Sequence, residues 1–266
     1  MAQTSPLMTL MIAAVRKAAR GLARDFGEVE QLQVSKKGPS DFVSAADLKA
    51  EKVLLEELTK ARPGYGFLLE ERGVVEGSDK THRFLVDPLD GTLNFLHGLP
   101  HFAISVGLER EGELIAGVVY DVIKDELFWA EKGRGAYVND RRLRVSGRAN
   151  LADCVIATGI PFQGKPGHEQ FYTELARITP KVAGVRRWGS AALDLAYVAA
   201  GRYDGFWERN LALWDIAAGV VLVREAGGFA RELDGGDFMQ TGSILASNAA
   251  LGQSLHQALA EPKAGR

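Results

Sequence analysis

A layered α/β fold is predicted by three observations. After two helical stretches, the first half of the 266-residue chain carries its short apolar runs as successive strands. The second half alternates strand and helix patterns to the C-terminus, and strands grouped first with alternation afterwards imply stacked α and β layers. The composition, 46% hydrophobic and 25% charged, is that of an ordinary globular protein and argues against disorder, collagen and coiled coil.

The elements follow in order. Residues 6–15 are the most apolar stretch, about half a membrane span. Arg16, Lys17, Arg20 and Arg24 follow this stretch rather than precede it, the reverse of a secretory signal. Leu7, Met11, Ala14, Val15, Ala18 and Leu22 recur at helical spacing, with Ser5 as cap and Pro6 in the first turn, so an amphipathic helix packed on the body is expected and no membrane anchor. A second helix covers 45–61 and ends at Pro63-Gly64. Residues 66–69 and 83–86 read as buried strands, the latter stopping before Pro88, which cannot donate to a ladder. Residues 102–109, 113–121 and 126–130 read as a meander, its first pair turning at Glu111-Gly112. Strands at 154–158, 184–187, 203–207 and 243–246 then alternate with helices at 169–178, 191–199, 213–225 and 249–259. The Gly/Pro-rich patches at 159–167 and 235–236 are loop-sized, so the chain is expected to be one unit. A soft boundary near 146–152 separates an N-terminal lobe, about 1–148, from a C-terminal lobe, about 149–266.

Lys and Arg total 32 against 34 Asp and Glu, a net charge of −2, so no global basic excess drives nucleic-acid or membrane binding. One cysteine, Cys154, excludes an intramolecular disulfide and any Cys-cluster zinc site. A reducing, cytoplasmic compartment is the simplest fit.

The chemistry concentrates in acids. In Phe84-Leu85-Val86-Asp87-Pro88-Leu89-Asp90-Gly91-Thr92-Leu93-Asn94-Phe95 an apolar strand runs into Asp87, Asp90-Gly91 makes a tight turn, and Thr92 starts a helix. Two carboxylates beside a helix start suit Mg2+ or Mn2+ next to phosphate, with the amides of Gly91 and Thr92 receiving phosphate oxygens. Asx-turn chemistry at a plain loop explains the bare motif equally well. Glu70-Glu71 end the strand at 66–69 and are placed to face the same cleft, or form a solvated charge pair. Asp215 in Trp214-Asp215-Ile216-Ala217-Ala218-Gly219 opens a helix, where the helix dipole alone favours an acid by ~0.3–1 kcal/mol. Trp214 reads as a core or rim aromatic.

Together, Glu70-Glu71, the Asp87–Phe95 motif and the Trp214–Gly219 motif resemble the inositol monophosphatase family in order and separation. Residues 41–51 and Gly189-Ser190-Ala191-Ala192 extend the resemblance, which covers nearly all of residues 5–260. Gly189–Tyr197 and Asp204–Glu208 bring it nearest to bacterial members.

The resemblance implies a five-layer αβαβα sandwich of the inositol monophosphatase and fructose-1,6-bisphosphatase type, and a Mg2+-dependent phosphomonoesterase. Glu70, Asp87 and the Leu89 carbonyl would hold a first Mg2+ and Asp87, Asp90 and Asp215 a second, with a third, weaker ion near Glu70 through water. Mn2+ could substitute, and Li+ and Ca2+ would inhibit. Four carboxylates packed together repel or take up protons unless cations neutralise them, and two Mg2+ match their charge. A metal-activated water, oriented by Glu70 and by Thr92 backed by Asp47, would attack phosphorus in line without a phosphoenzyme. Gly91, Thr92, Gly189, Ser190, Ala191, Glu208, Asp215 and Lys36 would contact substrate, Lys36 from a mobile flap over 36–47. Asp47 equally suits a helix N-terminus, and Lys36 and Glu208 equally suit the surface. Arg186 and Arg187 pair with acids or contact a partner chain.

Two departures stand out. Leu69 replaces a glycine usual in the family, and Arg72 a small residue, which puts the local backbone, the flap and the cleft charge in question. Gly133-x-Gly135 lacks a third glycine and reads as a turn rather than a dinucleotide motif. His82, His97, His101, His168 and His256 show no metal spacing, and Cys154 reads as a small buried hydrophobe.

The expected substrate is inositol 1-phosphate or a related small polyol phosphate. Histidinol phosphate, fructose bisphosphate and adenosine bisphosphates are rivals, the last two disfavoured by missing insertions. A homodimer is expected. The competing class is a binding protein, since bacterial relatives also associate with RNA polymerase and RNA.

Overall fold

Ser5 opens the fold: its hydroxyl accepts the Met8 N–H at 3.0 Å, Pro6 occupies the first turn, and α1 (Pro6–Phe26) follows. The computed structural model describes residues 4–28, 34–38 and 41–260, the side chains of 34–38 and 41–43 excepted. A short hairpin, β1 (Val34–Gly38) with β2 (Asp41–Ser44), precedes α2 (Ala45–Ala61), whose start is fixed by a reciprocal Ser44/Asp47 capping box.

The large sheet contains β3 (Gly66–Leu69), β4 (Gly73–Val75), β5 (His82–Asp90), β6 (Ala103–Arg110), β7 (Glu113–Asp121), β8 (Glu126–Glu131), β9 (Gly135–Val138) and β10 (Arg141–Arg142). Their spatial order is β10-β9-β8-β7-β6-β5-β3-β4, antiparallel except where β3 runs parallel to β5. The smaller sheet orders β11 (Val155–Thr158), β12 (Gly184–Arg186), β13 (Gly205–Glu208), β14 (Gly228–Glu232) and β15 (Ile244–Asn248) as β12-β11-β13-β15-β14.

Strand alternation builds the layers. Phe84, Val86, Ile104, Val106 and Val118 point to one face of the large sheet, where they bury against Met8, Met11, Val15 and Leu22 of α1 and Leu54 and Leu58 of α2. Leu85, Ala103 and Val119 point to the other face and join Leu193 and Leu195 of α5 (Ala191–Ala199) and Ile216, Val220 and Leu222 of α6 (Leu213–Glu225). The smaller sheet covers the far side of α5 and α6 through Phe206, Ile244 and Ala246. Its other face, with Ile156, Trp207 and Leu245, is covered by α4 (His168–Ile178) and α8 (Gly252–Ala260). Helices, sheet, helices, sheet, helices: the five-layer αβαβα arrangement is the one observed. Two short helices, α3 (Thr92–Leu96) and α7 (Phe238–Thr241), cap loops.

The strand expected to stop before Pro88 does not; β5 continues to Asp90. The ladder with β6 pairs Asp87 with Ser105, is irregular across Pro88 and Leu89, and resumes at Asp90 opposite Ala103. Pro88 therefore lies where no ladder N–H is required. The helix expected to start at Thr92 is α3, and the elements α7, β1, β2, β4, β9, β10 and β14 add to those expected, being short or substantially exposed and so lacking a clean period. Gly133 and Gly135, both at positive φ, make the turn expected of them, and their amides donate to Glu225. Cys154 is buried, and its desolvation pushes the thiol up to about 11.

Candidate active site

The interrupted end of β5 and the starts of α3, α5 and α6 meet around one cavity of about 290 Å³. It is lined by Glu70, Asp87, Asp90, Gly91, Thr92, Gly189, Ser190, Ala191, Glu208 and Asp215 among others. Asp215, far along the chain from Asp90, arrives because α6 packs across β6 and β7, placing its N-terminus beside the β5 end.

Each acid is held by backbone. Asp87 Oδ1 accepts the Leu89 N–H at 2.8 Å, which orders the irregular segment after Pro88. Asp90 Oδ2 accepts the Ser190 hydroxyl at 2.6 Å and the Ala192 N–H at 2.7 Å, so the start of α5 is tied to the end of β5. Asp215 Oδ2 accepts the Ala212 N–H at 2.8 Å. Glu70 lies just past β3, its N–H donating to the Val86 carbonyl at 3.1 Å. Gly91, at φ +98°, adopts a left-handed conformation that favours glycine and starts α3.

Thr92 links two parts of the site. Its hydroxyl lies 3.0 Å from both the Leu89 carbonyl and Asp47 Oδ1. The other Asp47 oxygen accepts the Ser44 N–H at 2.9 Å. Asp47 thus caps the helix start and bonds the cavity-lining Thr92 at once.

Electrostatics follow from burial. Desolvation first, then Glu70, Asp90 and Asp215, hold the Asp87 carboxyl well above its usual range. Desolvation pushes Asp90 up to about 6 despite its bonds to Ser190 and Ala192, and desolvation with the Asp90 charge pushes Asp215 up to about 7. Burial, then Asp215 and Asp90, push Glu208 up to about 8, while Lys165 and Arg187 pull it back. Burial also raises Asp47. Buried carboxylates that repel one another in an open cavity are relieved by cations, and all-oxygen donors suit hard divalent ions. Among the described residues no three His, Cys, Asp or Glu side chains are gathered into a ready-made metal cage, so the fit rests on donor chemistry and shared charge.

The expected residues do not all converge. Glu71 does not line the cavity; its N–H donates to Glu51 on α2 at 2.8 Å, and chain alternation past β3 separates it from Glu70. Leu69 is fully buried within β3 and paired with Val86, so a side chain fits there and no glycine is required. Arg72 does not add free charge to the cleft: its Nε lies 3.2 Å from the buried Glu51 carboxylate. Lys36 belongs to β1, and its side chain lies outside the described residues, as do residues 39 and 40 of the expected flap. Trp214 sits half-buried at the rim, its carbonyl accepting from Ser105.

Sequence reasoning missed four contributors. Asn94 Nδ2 donates to the His101 carbonyl at 2.8 Å and the Trp188 carbonyl at 2.7 Å, holding the approach to Gly189. Lys165, Arg187 and Asp194 also line the cavity. Asn94 and Asp194 lie inside quoted motifs without a role assigned to them; Lys165 and Arg187 carry no local pattern.

The Inositol monophosphatase family model matches residues 3–263. Proteins named inositol-1-monophosphatase are 57% identical in Mesorhizobium japonicum, covering 98% of this chain and 99% of that one, and 61% identical in Caulobacter vibrioides, covering 94% and 98%. The crystal structure of extragenic suppressor protein suhB from Bartonella henselae, 56% identical, superposes with a TM-score of 0.94 over 97% of this chain and 99% of that one. The acid-lined cavity thus sits in a chain that belongs to the inositol monophosphatase family and is a phosphatase of that superfamily.

Proposed function

We propose that this cavity hydrolyses the phosphate ester of a small polyol, inositol 1-phosphate foremost, with Mg2+ held by Glu70, Asp87 and the Leu89 carbonyl and by Asp87, Asp90 and Asp215. Bound there, the ions supply an activated water and neutralise phosphate charge. Thr92 donates its hydroxyl hydrogen bond to Asp47, which leaves its oxygen lone pairs to orient the attacking water, and Glu70 stands nearby as proton acceptor. The amides of Gly91 and Thr92 receive phosphate oxygens, and Lys36 is proposed as a further substrate contact. Ser190 and Ala192 keep Asp90 in place, while Gly189 and Ala191 border the substrate and Glu208 accepts from its hydroxyls. The carrying observation is the convergence of Asp87, Asp90, Asp215 and Glu70 on one cavity with the Thr92–Asp47 bond beside it.

A phosphate-release panel of polyol, sugar and nucleotide phosphates with Mg2+ tests the reading. Inositol 1-phosphate should rank highest, and Asp90→Asn should lower turnover by roughly 10²–10³ while the fold persists. Lithium should inhibit. Normal turnover in folded Asp90→Asn overturns the assignment.

We further place the enzyme in a reducing cytoplasm, on the strength of its single buried thiol, and no described helix is long and apolar enough to cross a membrane. It is proposed to be a homodimer. Leu93, Leu99 and Trp188 stand exposed around Asn94, an apolar face a second copy would cover. Light scattering should give twice the 28.8 kDa chain mass; a monomer sinks this part.

A further inference from the structure

Gly159 directly follows β11, whose last residue Thr158 pairs with Trp207 of β13. Glu208, the next residue of β13, lies against it. A Cβ on residue 159 would stand 1.9 Å from Glu208 Oε1, 2.1 Å from its Cδ and 2.2 Å from Oε2. The carboxylate therefore fills the volume that any other side chain at 159 would occupy.

The neighbourhood does not otherwise hold Glu208 there. Asp90 and Asp215 repel it, and Asp194, fully buried with Oδ1 lacking a hydrogen-bond partner, adds a third acid on the same wall. Among the described residues none hydrogen-bonds the Glu208 carboxylate, so both oxygens remain available to a ligand. Lys165, on the 159–167 loop that Gly159 begins, and Arg187 pull the other way on its charge.

We propose that Gly159 is a positioning residue for substrate selection: its bare Cα seats the Glu208 carboxylate in the cavity wall, and that seat makes the site prefer phosphate esters whose leaving group carries hydroxyls. The proposal rests on the polyol-phosphatase reading and adds to it the residue that fixes the acceptor. Its mechanism is steric. A methyl group at 159 overlaps the carboxylate, which must swing away and present its oxygens elsewhere.

A double-mutant cycle tests it, with the holoenzyme in Mg2+. The readout is the specificity ratio, kcat/KM for inositol 1-phosphate over kcat/KM for p-nitrophenyl phosphate, whose leaving group has no hydroxyl beside the ester. Gly159→Ala should lower the ratio at least tenfold, mostly by raising KM for the inositol ester. Glu208→Ala should lower it similarly. The double variant should fall no further than Glu208→Ala, because a methyl group fits once the carboxylate is gone, and its melting temperature should equal that of Glu208→Ala even if Gly159→Ala alone folds poorly. A ratio preserved in Gly159→Ala, or a further drop in the double variant, overturns the seat. A wild-type enzyme that releases phosphate from neither ester overturns the underlying reading instead.

Discussion

Asp90 and Asp215 show what burial does to an acid before any ligand arrives. Each is tied to backbone amides, yet desolvation raises both, to about 6 and about 7, from an ordinary value of 3.8. The folded state therefore binds more protons than the unfolded chain between about pH 4 and pH 7. Stability must fall as pH rises through that window. At one pKa unit per 1.36 kcal/mol, the Asp90 shift alone corresponds to about 3 kcal/mol. In chelator, the melting temperature should drop by several degrees between pH 5 and pH 8, and Asp215→Asn should flatten that slope. Saturating Mg2+ should largely abolish it, since metal displaces protons from the same oxygens. A pH-independent melting curve in chelator refutes this account. At this scale the sequence was most readable. Asp87, Asp90 and Asp215 declare themselves through a strand end, a turn and a helix start. Glu71 was misread because alternation past a strand, not adjacency, decides which acid faces a cavity. Gly159 and Asp194 fall in segments the sequence marks as a loop and a motif, but neither shows its own role there, since each matters through a neighbour distant in sequence.

At the level of elements, α6 carries Asp215 to the other cavity acids only because the large sheet lets it come close. Gly107 on β6 and Gly117 on β7 are cross-strand partners. A Cβ on Gly117 would lie 2.5 Å from the Ala218 carbonyl oxygen, and one on Gly107 would lie 2.7 Å from Ala217 Cβ. On the helix's other side, a Cβ on Gly219 would meet Leu195 of α5 at 2.5 Å. The Ala217-Ala218-Gly219 run of the Trp214-Asp215 motif is thus a packing surface, and the motif joins a cavity carboxylate to the slot that positions it. Sequence reading recovered α6 from residue 213 to 225 yet had no means to assign these small residues a face, because the facing glycines lie about 100 residues upstream. Gly117→Ala should force the helix outward at a cost of about 1–3 kcal/mol, the usual range for overpacking. It should also raise the Mg2+ concentration needed for half-maximal activity, though residue 117 is not a ligand. Loss of stability without a change in Mg2+ requirement would separate packing from positioning and defeat the link.

Across the whole molecule, the order of layers could not be read from a pattern. Each strand and helix announces an apolar face, but which sheet covers which face of α5 depends on residues such as Leu85 of one sheet and Ile244 of the other, far apart in the chain, joining the same core. The same shared core bears on whether the two proposed lobes are independent. The layer of α5 and α6 packs against both sheets at once, so neither sheet can lose its inner cover without stripping the other. Separation would also break the bonds from Ser190 and Ala192 to Asp90, which join α5 to the end of β5. One cooperative transition is therefore expected for the lobes about 1–148 and about 149–266. Two tryptophans allow the comparison, since Trp129 is buried beneath α1 on the large sheet and Trp207 beneath α4 and α8 on the smaller one. Denaturant curves followed by fluorescence in Trp129→Phe and Trp207→Phe should each coincide with the far-UV circular dichroism curve of the same variant. Fluorescence that moves ahead of or behind the backbone signal would mean that one sheet melts first, and that the layer of α5 and α6 belongs energetically to only one lobe.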